Sequence, residues 1–258
     1  MKILFKPQTE WLPPEEFKDL SSYDEIAIDL ETKDPELKTM GSGSVTGRGK
    51  IVGIALAVDG WSAYYPIDHE GGGNMDKKKV MDYFRTILNY PSKKIFHNAM
   101  YDVCFIRAEG LKINGQIVDT MIAGSLVNEN RFRYDLGSMG RDYLGKGKNE
   151  AVLTETAKEW GIDPKSEMYK LPAMYVGEYA EQDAKLTLEL WQEMKKQILI
   201  EEVSSIFELE TELFPCLVDM RFLGVRVDVE AAHRLKDKLV TEEKECLQKV
   251  KKETGVDT

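Results

Sequence analysis

With 258 residues, 42% of them hydrophobic and 31% charged, the chain is long enough to bury one sizeable core plus an appended element, or two small domains, and too apolar to be disordered throughout. One main domain with a helical tail fits best. A net charge of −10 argues against holding nucleic acid by bulk electrostatics, since neutralising phosphates takes clustered Lys and Arg; it is also what a carboxylate cluster awaiting a divalent cation would contribute.

In chain order, EIAIDLE (25–31) alternates as a strand, with Ile26, Ile28 and Leu30 on one face and Ala27, Asp29 and Glu31 on the other. Residues 40–50 read as a flexible loop. Residues 51–58 and 61–67 flank Asp59-Gly60 as a hairpin. Residues 76–90 carry a helical stripe of Val80, Phe84, Ile87 and Leu88, ended by Pro91. A short strand (93–97), a helix (98–109), a strand (117–120) leading into another helix, and a helix (134–144) closed by Gly145 follow. The clearest helix spans about 177–198, where Ala180, Ala184, Thr187, Trp191, Met194 and Ile198 recur at three- and four-residue steps. Helices at 203–222 and 229–251 flank an extended piece, 224–228. Strands followed by helices indicate an α/β or α+β domain.

No apolar run approaches the roughly 18 residues that span a bilayer, and the N-terminus lacks a signal-peptide core, so a cytoplasmic location is expected. Cys104, Cys216 and Cys246 have neither disulfide nor zinc spacing and are expected as reduced thiols. His69 and His233 are expected at the surface.

Three acidic patterns carry the chemistry. Asp29 and Glu31, two apart on a strand, project from one face; Asp34/Glu36 and Asp228/Glu230 repeat the spacing, so the apolar strand in front of Asp29 is what distinguishes it. In HNAMYD (97–102) a strand passes into a helix, and of three Tyr-Asp dipeptides only Tyr101-Asp102 has Asn, Asn98, three positions before the Tyr. A helix-capping Asn beside a buried Tyr would look the same. In EYAEQDAKLT (178–187), Tyr179 and Asp183 lie one turn apart beside the apolar stripe; Tyr64/Asp68 share that spacing. If these acids converge, they repel one another and stay partly protonated unless cations compensate, and all-oxygen ligands suit Mg²⁺ or Mn²⁺. Two such ions serve phosphodiester hydrolysis.

D-x-E, then N-x-x-Y-D, then Y-x-x-x-D, in this order and on these elements, resembles the DEDD superfamily of 3′→5′ exonucleases, most closely the proofreading domain of family A DNA polymerases such as bacterial DNA polymerase I and its phage relatives. The likeness covers about 25–192. It implies an α/β, ribonuclease H-like mixed sheet flanked by helices over 1–200, with a C-terminal helical extension over 201–258. It further implies that Asp29, Glu31 and Asp183 hold one divalent cation, that Asp29 and Asp102 engage a second, and that Tyr179 and Glu31 orient the attacking water. The tyrosine subclass follows because the histidine subclass carries His five before the last acid, where this chain has Glu178. Thr32, Asn98 and Tyr101 are implied to line the terminal-nucleotide pocket. His97 stands where relatives often carry Gln, and a substrate contact and a plain strand-end histidine are equally good readings.

Between the second and third motifs, residues 130–148 hold Arg131, Arg133, Arg141, Lys146 and Lys148 interleaved with Phe132, Tyr134 and Tyr143, a pattern that suits guiding a single strand and equally a solvated helix face. Residues 208–228 resemble the connector by which family A polymerases enter their thumb. The expected partners are a single-stranded or frayed DNA 3′ end and a polymerase module, in the same chain or a separate one. The rival readings are an exoribonuclease of the RNase D type and a catalytically silent docking platform.

Overall fold

A computed structural model describes residues 9–255. The alternating segment forms β1 (Glu25–Lys33), β2 (Lys50–Val58) and β3 (Trp61–Pro66) make the expected hairpin, and β4 (Lys93–Phe96) and β5 (Ile117–Asp119) complete one sheet of order β3-β2-β1-β4-β5. The β1–β2 and β2–β3 pairs are antiparallel, whereas β4 runs parallel to β1 and to β5, so the sheet is mixed as expected. β1 lies in the middle, and a central strand is covered on both faces, which is why Ile26, Ala27 and Ile28 are all buried.

The two faces of β1 meet differently sized partners. Ile28 pairs with Leu56 and Leu30 with Ile54, but Ala27, Asp29 and Glu31 pair with Ala57, Ala55 and Gly53. Small residues opposite the acids leave space there for carboxylates and for a helix that packs close.

The helices are α1 (Leu37–Met40), α2 (Gly43–Thr46), α3 (Lys77–Asn89), α4 (Ala99–Ala108), α5 (Thr120–Val127), α6 (Leu136–Leu144), α7 (Ala151–Trp160), α8 (Gly177–Ile200), α9 (Ser204–Leu223) and α10 (Val229–Thr254). α8 packs on β1, β2 and β3 through its predicted stripe, all six residues of which are buried, and α5 and α6 pack on α8. The segment 40–50, expected to be a flexible loop, is instead ordered: Gly43 N–H donates to both Asp34 oxygens at 3.1 and 3.0 Å, and Gly43 and Ser44 are buried. A buried carboxylate capturing a backbone amide outweighs the loop composition. α7 lies in a stretch that the sequence pattern left unassigned.

The described residues fall into two compact units divided between Asp219 and Met220. In the first, α9 stacks Phe207 on Trp191, ring centroids 5.6 Å apart, and buries Phe214 and Val218. In the second, Asp228 caps α10 by accepting the Ala231 N–H, Gly255 ends it at φ 73°, and no residue of α10 is buried. No helix among the described residues is long and apolar enough to cross a membrane, and residues 1–8, part of the segment read as lacking a signal-peptide core, lie outside the described residues.

Candidate active site

β1 delivers Asp29 and Glu31 to the α8 side of the sheet. Asp183 lies on α8, six residues into it and next to the buried Ala184, so the packing of that stripe on the sheet brings its carboxylate to the β1 acids. Asp102 comes from the first turn of α4. The β1–β4 pairing stops at Ala27–Ile95, leaving the Leu30 N–H without a strand partner, and it donates to Asp102 Oδ1 at 2.9 Å. That bond fixes the third acid at the backbone between the first two. A bulge between Glu31 and Thr32 then re-aims the end of β1.

The four carboxylates sense one another. Burial pushes Asp29 up to about 7, with Asp183 adding to it. Glu31 is driven well above the carboxylate range by burial and then by Asp29 and Asp183, and Asp102 likewise by burial and then by Asp29. Asp183 is raised by burial, against the opposing pull of Lys148. Burial also raises the Tyr179 hydroxyl, with Asp183 next. These are oxygen donors under mutual repulsion in a poorly hydrated pocket, and Asp183 Oδ1 is buried without a hydrogen-bond partner. Such a donor set suits a hard divalent cation. Among the described residues no three of the acids close into a finished ligand shell. Asp183 Oδ2 is held by Lys148 Nζ at 2.5 Å, and Asp102 Oδ1 accepts the Leu30 amide.

Thr32 Oγ1 and Tyr101 Oη lie 2.8 Å apart, and Tyr101 donates to Asp34 at 3.1 Å; Thr32, Asp34 and Tyr101 line a cavity of about 190 Å³ with Lys38 and Lys165. Asn98 does not reach that cavity. It caps α4 at φ 63°, with its side chain exposed, its N–H donating to Asp119 and no side-chain capping bond. His97 turns inward, its Nδ1 2.8 Å from Thr120 Oγ1 and its Nε2 buried without a partner; burial, then Lys148, push it down to about 4. A larger cavity, of about 730 Å³, lies between α4, residues 110–117 and α9 and contains none of the predicted site residues, so size does not locate the site.

Sequence reasoning missed several supporting groups. Asp119 accepts the Asn98, Ala99 and Met121 amides and so holds the starts of α4 and α5 together. Asp34, dismissed as part of a chance D-x-E, anchors both Gly43 and Tyr101. His69, expected at the surface, is 3% exposed: its Nε2 lies 2.7 Å from Tyr64 Oη and its Nδ1 3.0 Å from Leu171 O. An aromatic strand residue five positions before a histidine was the available signal. The basic stretch is not uniformly solvated either, since Arg131 pairs with Asp142, Lys146 with Glu189 and Lys148 with Asp183, while Phe132 is fully exposed.

Tyr64 crosses over Gly53, the residue paired with Glu31. A Cβ at Gly53 would stand 2.0 Å from Tyr64 Oη, and the ring cannot withdraw without losing its bond to His69. Gly53→Ala is therefore expected to cost about 1–3 kcal/mol, read as a lower urea midpoint at unchanged slope.

The fold is shared with solved nucleases and with part of a polymerase domain. It superposes on the Pol1 POL domain of M. smegmatis, solved with DNA primer-template and dNTP, with a TM-score of 0.62 and 15% identity over 92% of this chain and 35% of that one. On Escherichia coli RNase D, an exoribonuclease, the TM-score is 0.53 and the identity 17%, over 80% of this chain and 47% of that one. The 3′-5′ exonuclease family of family A DNA polymerases matches residues 6–199, and the chain belongs to it. Among curated relatives, a DNA-directed DNA polymerase of Pseudomonas phage M6 is 33% identical over 257 residues, 96% of this chain; the chain spans 38% of that relative's length.

Proposed function

We propose that this exonuclease domain removes nucleotides from DNA 3′ ends by a two-cation mechanism, as the proofreading part of a family A polymerase acting in the cytoplasm, the host's if the chain is phage-encoded. The observation that carries this reading is the convergence of Asp29, Glu31, Asp102 and Asp183, drawn from a strand and two helices, into one electrostatically coupled group. Asp29, Glu31 and Asp183 would hold one Mg²⁺ or Mn²⁺, and Asp29 with Asp102 the other. When bound, the pair supplies charge stabilisation for the attacking and leaving oxygens of an in-line displacement.

Tyr179 and Glu31 orient a water toward the terminal phosphorus. As its oxygen bonds there, the 3′-oxygen of the preceding nucleotide leaves, giving a 5′-mononucleotide and a strand ending in a 3′-hydroxyl. Thr32 and Tyr101, lining one cavity, hold the terminal nucleotide, and Asn98, exposed outside that cavity, is assigned a contact to it from the start of α4; His97 has an internal partner and is assigned to holding the strand end in place. Unpaired termini are preferred because they avoid the cost of melting. The exonuclease unit is assigned to 1–200 and the helical connector resembling the start of a polymerase thumb to 201–258; the family match ends at 199, whereas the compact unit runs on to Asp219.

The test is timed digestion of single-stranded DNA, RNA and mismatched duplex with and without chelator. Degradation of DNA that stops on chelation is expected. Tyr179→Phe should lower kcat about a hundredfold, the scale of one lost transition-state hydrogen bond, while leaving Mn²⁺ binding intact. Faster digestion of RNA than of DNA would favour the RNase D-type reading, and chelator-insensitive digestion would remove the cations from the mechanism. The silent-platform reading has against it that all four acids and Tyr179 are present.

A further inference from the structure

Lys148 belongs to a basic stretch that the nuclease reading does not use, yet it enters the carboxylate cluster. Its Nζ lies 2.5 Å from Asp183 Oδ2, 3.4 Å from Tyr179 Oη and 5.3 Å from the centre of the Tyr179 ring. The contact is sheltered: the Lys148 side chain is 20% exposed and that of Asp183 4%. Exposed ion pairs are worth little, but a pair this poorly hydrated is not easily replaced by water.

The placement is built into the backbone. α6 ends at Gly145 in the left-handed conformation, and the chain that follows is stitched to α8 around Asp183. Asn149 N–H donates to Gln182 Oε1 at 3.0 Å, Gln182 Nε2 donates to Gly147 O at 3.3 Å, and Lys146 pairs with Glu189 at 2.7 Å. Lys148 is thus delivered to Asp183 by bonds on either side of it, while Arg131 of the same basic stretch is engaged by Asp142.

We propose that Lys148 is a tethered cation that competes with divalent metal for Asp183 and so sets the metal affinity of the site; this rests on the metal-dependent reading above. Mg²⁺ draws a carboxylate oxygen to about 2.0–2.1 Å, and an ammonium held at the same oxygen both occupies its lone pairs and repels the incoming dication. Metal binding therefore has to displace Lys148 from Asp183 or work against its charge, and either route weakens binding. Lys148 is a positioning residue in this account: it acts through Asp183, not on the substrate.

The test is calorimetric titration of Mn²⁺ into the full chain at neutral pH, comparing wild type with K148M, K148Q, K148R and D29N, each first checked for folding by circular dichroism. K148M and K148Q are expected to bind Mn²⁺ about tenfold more tightly than wild type, a change of about 1.4 kcal/mol, and K148R, which keeps the charge, to bind like wild type. A merely structural lysine would give the opposite, weaker binding on removal. Unchanged or weakened affinity in the folded neutral variants overturns the proposal while leaving the nuclease reading standing, provided wild type binds and D29N does not. Absence of any Mn²⁺ heat in wild type overturns the metal-dependent reading, and this proposal with it.

Discussion

Asp29→Ala, alone or with Glu31→Ala, is expected to lower mononucleotide release from single-stranded DNA by about three orders of magnitude or more, because cation-borne charge stabilisation is worth several kcal/mol and each 1.4 kcal/mol is tenfold. The loss should come without a loss of stability. The Asp29 side chain makes no hydrogen bond among the described residues, and burial with repulsion from Asp183 outweighs the attraction of Lys148 there, so removing it relieves strain in the folded chain. Initial rates on a labelled oligonucleotide, with thermal melts of the same preparations, separate the two effects. Activity within tenfold of wild type in a folded D29A/E31A protein would end the assignment of these acids as catalytic.

The second large effect is on stability against pH in chelator-treated protein. Asp29 is raised from 3.8 to about 7, so between those values the folded chain keeps a proton that the unfolded chain has lost. Its contribution is full below the unfolded value and is lost as pH rises through about 7. Glu31 and Asp102 are shifted in the same direction. His69 and His97 act oppositely: both are pushed down to about 4 by burial, so their contribution is lost as pH falls from about 6.5 towards 4. Lys94, down to about 8, enters mainly above that pH. From pH 6.5 to 8 the two histidines and Lys94 oppose the fall, each by less than about 1 kcal/mol, and the acids pull against them. Across this window the melting temperature is expected to fall, Asp29 losing about 1 kcal/mol or less, at about 2–4 °C per kcal/mol for a chain of this size, and Glu31 and Asp102 adding to the fall. Asp29→Asn should flatten the fall, and Mn²⁺ at pH 8 should reverse it by binding the ionised cluster. A flat profile, or one unmoved by Mn²⁺, would mean that the acids are not coupled as described.

Much of this could be read from residues alone, for an identifiable reason in each case. The strands at β1, β2 and β3 and the helices α3, α8 and α9 follow from apolar periodicity, a local property that burial then uses. The three acidic motifs were legible because each sits beside such a pattern. His69 misled because histidine has no hydropathic signature of its own; its burial depends on Tyr64 and on the Leu171 carbonyl, 102 positions away. The segment 40–50 misled because glycine and serine look the same in a loose loop and in a turn pinned by a buried aspartate.

Residue pattern dictates which elements form and which residue types are available: four acids, a tyrosine, and apolar stripes that oblige their elements to pack. Which charges meet depends on how those elements pack. Lys148 and Asp183 are 35 positions apart, and nothing in either neighbourhood distinguishes this lysine from Lys146, which pairs with Glu189 instead. The same holds for the Leu30 amide that captures Asp102 across 72 positions. Hydrophobic periodicity is local and is written along the chain, whereas electrostatic partners are set by which side chains the packed core leaves a few ångströms apart.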